Sequence, residues 1–380
     1  MRNANIWGAA LGIAAMAATT ALPTDASARE LRFEPALPCS HDVVLGYRYA
    51  EDELPKRTNG ELTMRNYCGS LMGLSEVSDG LRDGIADVGI MVLPYWPAEF
   101  PYHNFLANIS GYADTAVAMA AANTEFVLNC EPCLQEFYDK NQVVLAMHSN
   151  PPYVPIVNGG AMRTPEDLVG KKFRAGSIYF RRWAEYVGGA ALSMTGNEIY
   201  EGLSAGVLDA TLSTPTEIPN FGLQDVITSV TRLPLGTFHS MSMWAVNRDT
   251  WRSLTTEQRQ VLLDLATEGT AMTEARLDQQ YVEVFDQLKD WKVELVEPSD
   301  ELIAKHKEFA ASNFDNSVAS GESDFGVENA RDVAERFAET AKRWQALVSE
   351  QGDARLDGKA MADLYKREIY SKIDAATFGM

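Results

Sequence analysis

Cations are scarce in this chain: 33 Lys and Arg stand against 53 Asp and Glu, a formal charge of −20 over 380 residues. A surface with that balance repels nucleic acid and anionic lipid, so neither is expected as a partner. An anionic ligand would meet an opposing field, and a local cation would have to create its site. Histidine is thinner still. The five (His41, His103, His148, His239 and His306) are scattered along the chain. The motifs of the common enzyme classes are missing as well: there is no G-x-S-x-G, no P-loop, no G-x-G-x-x-G and no H-E-x-x-H. Carboxylates abound, but mostly on expected helices, where a solvated face is their ordinary use. Catalysis is therefore not expected, and no cofactor is called for.

Long apolar runs are confined to the beginning. "MRNANIWGAALGIAAMAATTALPTDASA" carries one early cation, Arg2, then an Ala/Leu/Ile run, then Ala26-Ser27-Ala28. That is the pattern of a secretory signal, expected over 1–28, with the mature chain starting at Arg29. An uncleaved anchor is the alternative, though the run is short for a span of about 20 residues. A periplasmic, exported and monomeric protein is expected. Removing 28 residues leaves 352, more than one compact core usually serves, so two domains are expected.

Cysteine is the other scarce residue. Cys39, Cys68, Cys130 and Cys133 form an even set, which in an oxidising compartment invites disulfides. Zinc at Cys130-Glu-Pro-Cys133 competes, but no second C-x-x-C supports it, so no metal is expected. Pairing of 39 with 68 follows from where they fall. Each comes after a strand of one βαβ unit, and neighbouring parallel strands end side by side. Cys130 and Cys133 are close enough to pair locally, although a regular helix there would strain the bond.

Strand-like and helix-like segments alternate. "LRFEPAL" (31–37), "ELTMRNY" (61–67) and "ADVGIMV" (86–92) are strands separated by helical patterns, a βαβαβ unit with a parallel sheet. The pattern restarts near residue 142. "QVVLAM", "YVPIV", "KKFRAG", "AALSM" and "LDATLST" are strand-like, with helices over 178–187 and 197–204. Ligands of such sheets sit beyond the carboxyl ends of the strands. Thr255-Thr256-Glu257-Gln258 fits a capping box, and helical spacing then persists to about Leu288. A single helix there would be about 50 Å long and would span two domains. Two helices broken at Gly269 are the alternative. An amphipathic helix over 327–348 is expected to pack on the second domain.

Arg174 ends the strand "KKFRAG", just before a helix that starts near Ser177. There its guanidinium can take a carboxylate through two parallel hydrogen bonds, with a helix N-terminus adding partial positive charge. Pairing with a neighbouring acid is the plainer use. The order of segments around it decides. "TPEDLVGKKFRAGS" followed by "YVGGAALSMTGNEIYEGLSAGVLDA" resembles the second-domain signature of the substrate-binding proteins of TRAP transporters. The matching positions are Gly170, Arg174, Gly188, Met194, Glu198, Tyr200, Gly206, Leu208 and Asp209. "RTNGELTMRNYCGSLMGLSEVSDGLRDGIADVGIM" is similar to the family's first-domain pattern.

The resemblance implies an α/β, two-domain periplasmic binding protein fold with a ligand cleft between domains and a long helix spanning both. Domain I is expected from 29–151 with 240–285, and domain II from 152–239 with 286–380. Chain crossings then fall near 150–153 and 238–241. The resemblance further implies that Arg174 pairs with a substrate carboxylate and that "TLSTP" faces the ligand, placing Ser213 and Thr214 where family members often have Asn or Glu-Asn. It also implies membrane subunits of a TRAP transporter as partners. Many members carry another arginine on the preceding strand. Here 141–162 has no Lys or Arg, and Tyr153 stands in the corresponding place. A small organic acid with one carboxylate is therefore expected as the ligand. Tyr95 and Trp96, in the Pro-rich loop after the third strand, are further candidate contacts. Alternatives are a zwitterionic osmolyte held between Arg174 and an aromatic box, and a secreted lyase or hydrolase on the same scaffold.

Overall fold

A computed structural model describes Met1 and residues 28–380; the export signal expected over 1–28 otherwise lies outside the described residues. The chain opens with β1 (Arg29–Glu34), α1 (Leu45–Arg57), β2 (Leu62–Asn66), α2 (Val77–Arg82) and β3 (Val88–Val92). The expected βαβαβ unit is thus present, and β1 pairs in parallel with both β2 and β3. The Pro-rich loop after β3 is more ordered than its prolines imply. A 3-10 turn covers Leu93–Tyr95 and α3 (Pro101–Leu106) starts on Pro101, which suits the first helical position because no N–H is needed there. Then come α4 (Ala116–Leu128), α5 (Glu131–Asp139) and β4 (Gln142–His148).

The second sheet starts at β5 (Val154–Val157). It is followed by α6 (Pro165–Leu168), β6 (Lys172–Ala175), α7 (Ile178–Tyr186), β7 (Ala190–Leu192), α8 (Ile199–Ser204), β8 (Ala210–Ser213), α9 (Glu217–Asn220) and β9 (Ser229–Thr231). The chain then returns as β10 (Met241–Asn247), α10 (Arg248–Ser253) and α11 (Thr256–Gln287), crosses again to β11 (Glu294–Val296), and ends in α12 (Asp300–Ser323), α13 (Ala330–Ser349) and α14 (Gly358–Glu368). The sheets are ordered β2-β1-β3-β10-β4 and β11-β9-β5-β8-β6-β7. Neither is purely parallel: β10 runs antiparallel between β3 and β4, and β5 runs antiparallel between β8 and β9.

The first two crossings lie side by side. The Asn150 N–H donates to the Phe238 carbonyl at 2.8 Å, and the Tyr153 N–H donates to that of Gly236 at 2.9 Å. These two backbone segments form a paired strap between the lobes. Gly236 has φ 120°, a conformation other residues rarely adopt, and a Cβ there would meet the Ser110 hydroxyl. The third crossing is α11, one unbroken helix of 32 residues, about 48 Å long. Thr255 and Gln258 close its capping box. It packs on α1, α4 and β4, while Val284 near its far end joins the core of the second lobe.

Residues 286–380, expected together in the second domain, divide. β11 joins the second sheet, but α13 packs on α4, with Phe337 edge-on to Phe126 at 5.3 Å, and α14 packs on α11. The helix expected over 327–348 thus lies on the first lobe. The reason is visible in α4, buried at every position except Glu125 and therefore in need of cover on both sides. β4 covers one side, and the Val333, Ala334, Phe337, Ala341 and Trp344 face of α13 covers the other.

Both disulfides are present: Cys39–Cys68 with Cα atoms 5.1 Å apart and Cys130–Cys133 at 5.2 Å. The close pair fits beside a helix because Cys130 is the extended N-cap of α5, outside its first turn. Among the described residues, no helix is long and apolar enough to cross a membrane.

Candidate functional site

Sheet register builds the site. Val154 of β5 pairs with Ser213 of β8, and Thr211 of β8 pairs with Arg174 of β6, so Tyr153, Ser213 and Arg174 come to one edge of three adjacent strands. That edge faces the first lobe across a cleft. Arg174, Ser213, Tyr95 and Tyr153 all line it. Two other expected contacts do not. Trp96 packs against the main apolar core and is not in the lining, and Thr214 is wholly buried with its hydroxyl 3.3 Å from that of Thr216. Strand alternation explains Thr214: neighbours along an extended chain face opposite sides.

Arg174 is 5% exposed. Its Nε–H donates to the Met194 carbonyl at 3.0 Å, which orients the guanidinium and leaves both Nη groups without a protein acceptor among the described residues. No carboxylate pairs with it there, so the plainer use, an internal ion pair, does not apply. Gly176 makes room: a Cβ at that position would lie 3.0 Å from Arg174 Nη1. Tyr153 stands beside it, its ring stacked on Phe180 at 4.5 Å and on Phe238 at 5.5 Å. Burial holds its phenol well above the ordinary value, against the pull of Arg174 and with a push from Glu217. The Tyr153 hydroxyl is therefore a neutral donor facing the cleft.

The first lobe contributes further groups. His41 Nδ1 accepts the Val43 N–H at 3.2 Å, which leaves Nε2 to donate to Glu217 Oε2 of the second lobe at 3.1 Å. His148, at the end of β4, holds Glu274 of α11 at 2.6 Å. Both are wholly buried, and burial raises the Glu274 carboxyl. Asn150 Nδ2 donates to the Tyr153 hydroxyl at 3.4 Å. Tyr95 accepts the Gly196 N–H at 3.2 Å, another link between lobes, and it lines a larger outer opening as well as the inner cavity. It therefore stands as the partition between the two. The signal for His41 was its place just beyond the first strand's carboxyl end; for Glu217, its place four residues past Ser213. Neither residue belongs to a motif that marks it as a site residue.

One buried arginine, the Glu217 carboxylate, hydrogen-bonding groups and apolar walls, set between two lobes, make a site suited to a small polar molecule. The comparisons agree with that class. The chain matches the model of bacterial extracellular solute-binding protein family 7, DctP, over residues 37–320, and it belongs to that family. The family's members are binding proteins for transport, which sets aside the lyase or hydrolase alternative. A solute-binding protein of Albidiferax ferrireducens is 26% identical over 224 residues, 57% of this chain and 63% of that one. The chain thus matches less than two thirds of that relative's length. Among solved structures, a marine metagenome TRAP solute-binding protein specific for aromatic acids, bound to 3-hydroxybenzoate, superposes with TM-score 0.75 at 19% identity, over 83% of this chain and 99% of that one. A Bordetella bronchiseptica TRAP periplasmic solute-binding protein holding mandelate gives 0.70 at 22%, over 83% and 99%. These likenesses show the two-domain α/β fold of TRAP solute-binding proteins.

Proposed function

We propose that this protein is the periplasmic receptor of a TRAP transporter, exported by a cleaved signal, that captures a small monocarboxylate and presents it to the membrane subunits. The observation that carries the reading is Arg174, a buried guanidinium with both Nη groups free of protein acceptors at the cleft edge. A cation taken out of water without a partner is costly, and a bidentate carboxylate is the partner its planar fork fits best. Tyr153 and Ser213 line the same cleft, and their hydroxyls would donate to the same carboxylate. Among the described residues that line the cleft, Arg174 is the one arginine or lysine, which argues against a dicarboxylate. Both solved neighbours described above hold carboxylates, which supports the class without naming the member.

Arg174→Lys tests the reading. An ammonium cannot reproduce the two-point contact, and the loss of a charge-assisted pair in a closed cleft should cost about 2–5 kcal/mol of affinity. Calorimetry against a panel of carboxylates, with bound compound recovered unchanged, provides the measurement. Wild-type affinity in the variant would remove Arg174 from the site.

A further inference from the structure

The carboxylate reading leaves one lining group unused. Glu217 is 7% exposed, and its Oε2 accepts from His41, but among the described residues nothing donates to its Oε1. An acid in a site meant for an acid is a contradiction unless the ligand resolves it. The other titrating neighbours do not. His41 has its Nδ1 committed as an acceptor of the Val43 N–H and so offers Glu217 a single N–H, from Nε2. His148 has both ring nitrogens engaged, by Glu274 at 2.6 Å and Asn150 at 3.4 Å, and so makes no contact with Glu217. The free charges of the lining are then Arg174 and Glu217, one of each sign.

We propose that Glu217 is a specificity-determining residue that reads a cationic nitrogen, so that the ligand is a zwitterion: a carboxylate on Arg174 and an ammonium group on Glu217. This rests on the carboxylate reading above and narrows it. A ligand with only a carboxylate would dehydrate Glu217 on closure and give nothing in return, whereas a zwitterion neutralises both ends. Phe221 adds to the second pole. It lies one helical turn from Glu217, lines the same cavity and sits edge-on to His41 at 5.1 Å, which gives the cation an aromatic neighbour.

The test is calorimetric titration of the mature chain with matched probes that differ only at the far end. One set is 4-aminobutyrate, 4-hydroxybutyrate and pentanoate; the other is 3-(aminomethyl)-, 3-(hydroxymethyl)- and 3-ethylbenzoate. In the better-binding set, the ammonium member should bind at least roughly tenfold tighter than its partners. Glu217→Gln, which keeps an acceptor for His41, should erase that preference with little change in melting temperature. If the variant does not fold, the wild-type ratio decides alone. Equal or tighter binding of the hydroxyl or methyl members overturns the inference and leaves the carboxylate reading intact. Failure of every carboxylate overturns both.

Discussion

Gly46 of α1 and Gly269 of α11 lie backbone against backbone: a Cβ on Gly269 would stand 3.0 Å from the Gly46 carbonyl oxygen and 3.2 Å from its Cα. The glycine that could have broken the long helix is instead where the helix is crossed. A Cβ on Gly46 would press even harder on the Gly269 backbone, where no side chain can yield. Gly46→Ala is therefore expected to lose about 1–3 kcal/mol by overpacking, despite alanine's better helix propensity. Urea unfolding of the two proteins measures it; a stabilised variant would mean that α1 can move away without cost.

Tyr95 links the lobes through the Gly196 N–H and partitions inner cavity from outer opening. Tyr95→Phe removes one neutral hydrogen bond from the closed form, worth about 0.5–1.5 kcal/mol. Faster ligand release, by roughly 2- to 10-fold, is expected in stopped-flow measurements. An unchanged release rate would place the closing contact elsewhere.

Closure itself should be visible in solution. The lobes are joined by the strap at Asn150–Tyr153 and Gly236–Phe238, and a ligand that touches both favours the closed state by its differential affinity. X-ray scattering should show a smaller radius of gyration at saturating ligand. An identical profile at full occupancy would describe a rigid binder.

Asp278 of α11 accepts the Ala116 and Val117 N–H groups at 2.8 and 3.2 Å, at the start of α4. Burial outweighs those donors and pushes its carboxyl up to about 7. Since the folded value lies above the unfolded one, near 3.9, the contribution is full below about pH 4 and is lost as the pH rises towards 7. Relative to Asp278→Asn, which does not titrate and keeps an acceptor for one of the two donors, the wild type should lose about 2–4 kcal/mol over that window. Parallel denaturation curves at pH 4 and 7 make the comparison; an equal difference at both would show a carboxyl that folding does not shift.

The two disulfides should differ in worth. Cys39–Cys68 closes a loop with a sequence separation of 29, and Cys130–Cys133 one of 3. Chain entropy alone then assigns about 3–4 kcal/mol to the first and about 2 to the second. Paired serine variants compared by thermal unfolding should keep that order.

Local pattern carried much of this protein. Alternation in 31–37, 61–67 and 86–92, the capping box at Thr255 and the strand-end position of Arg174 are each contained within a few neighbouring residues, because period and cap chemistry are local properties. The Cys39–Cys68 pairing needed only the parallel order of two adjacent strands. Tertiary structure decided the rest. β10, apolar on both faces, says nothing in its own residues about running antiparallel between β3 and β4. α13 has an apolar stripe that would suit either lobe, and the all-round burial of α4 determines which one it covers. Glu217 and His41, 176 residues apart, meet only because two lobes close on one another. Periodicity reports which face of an element is apolar; which surface covers that face, and which distant charge it meets, is settled by nonlocal burial.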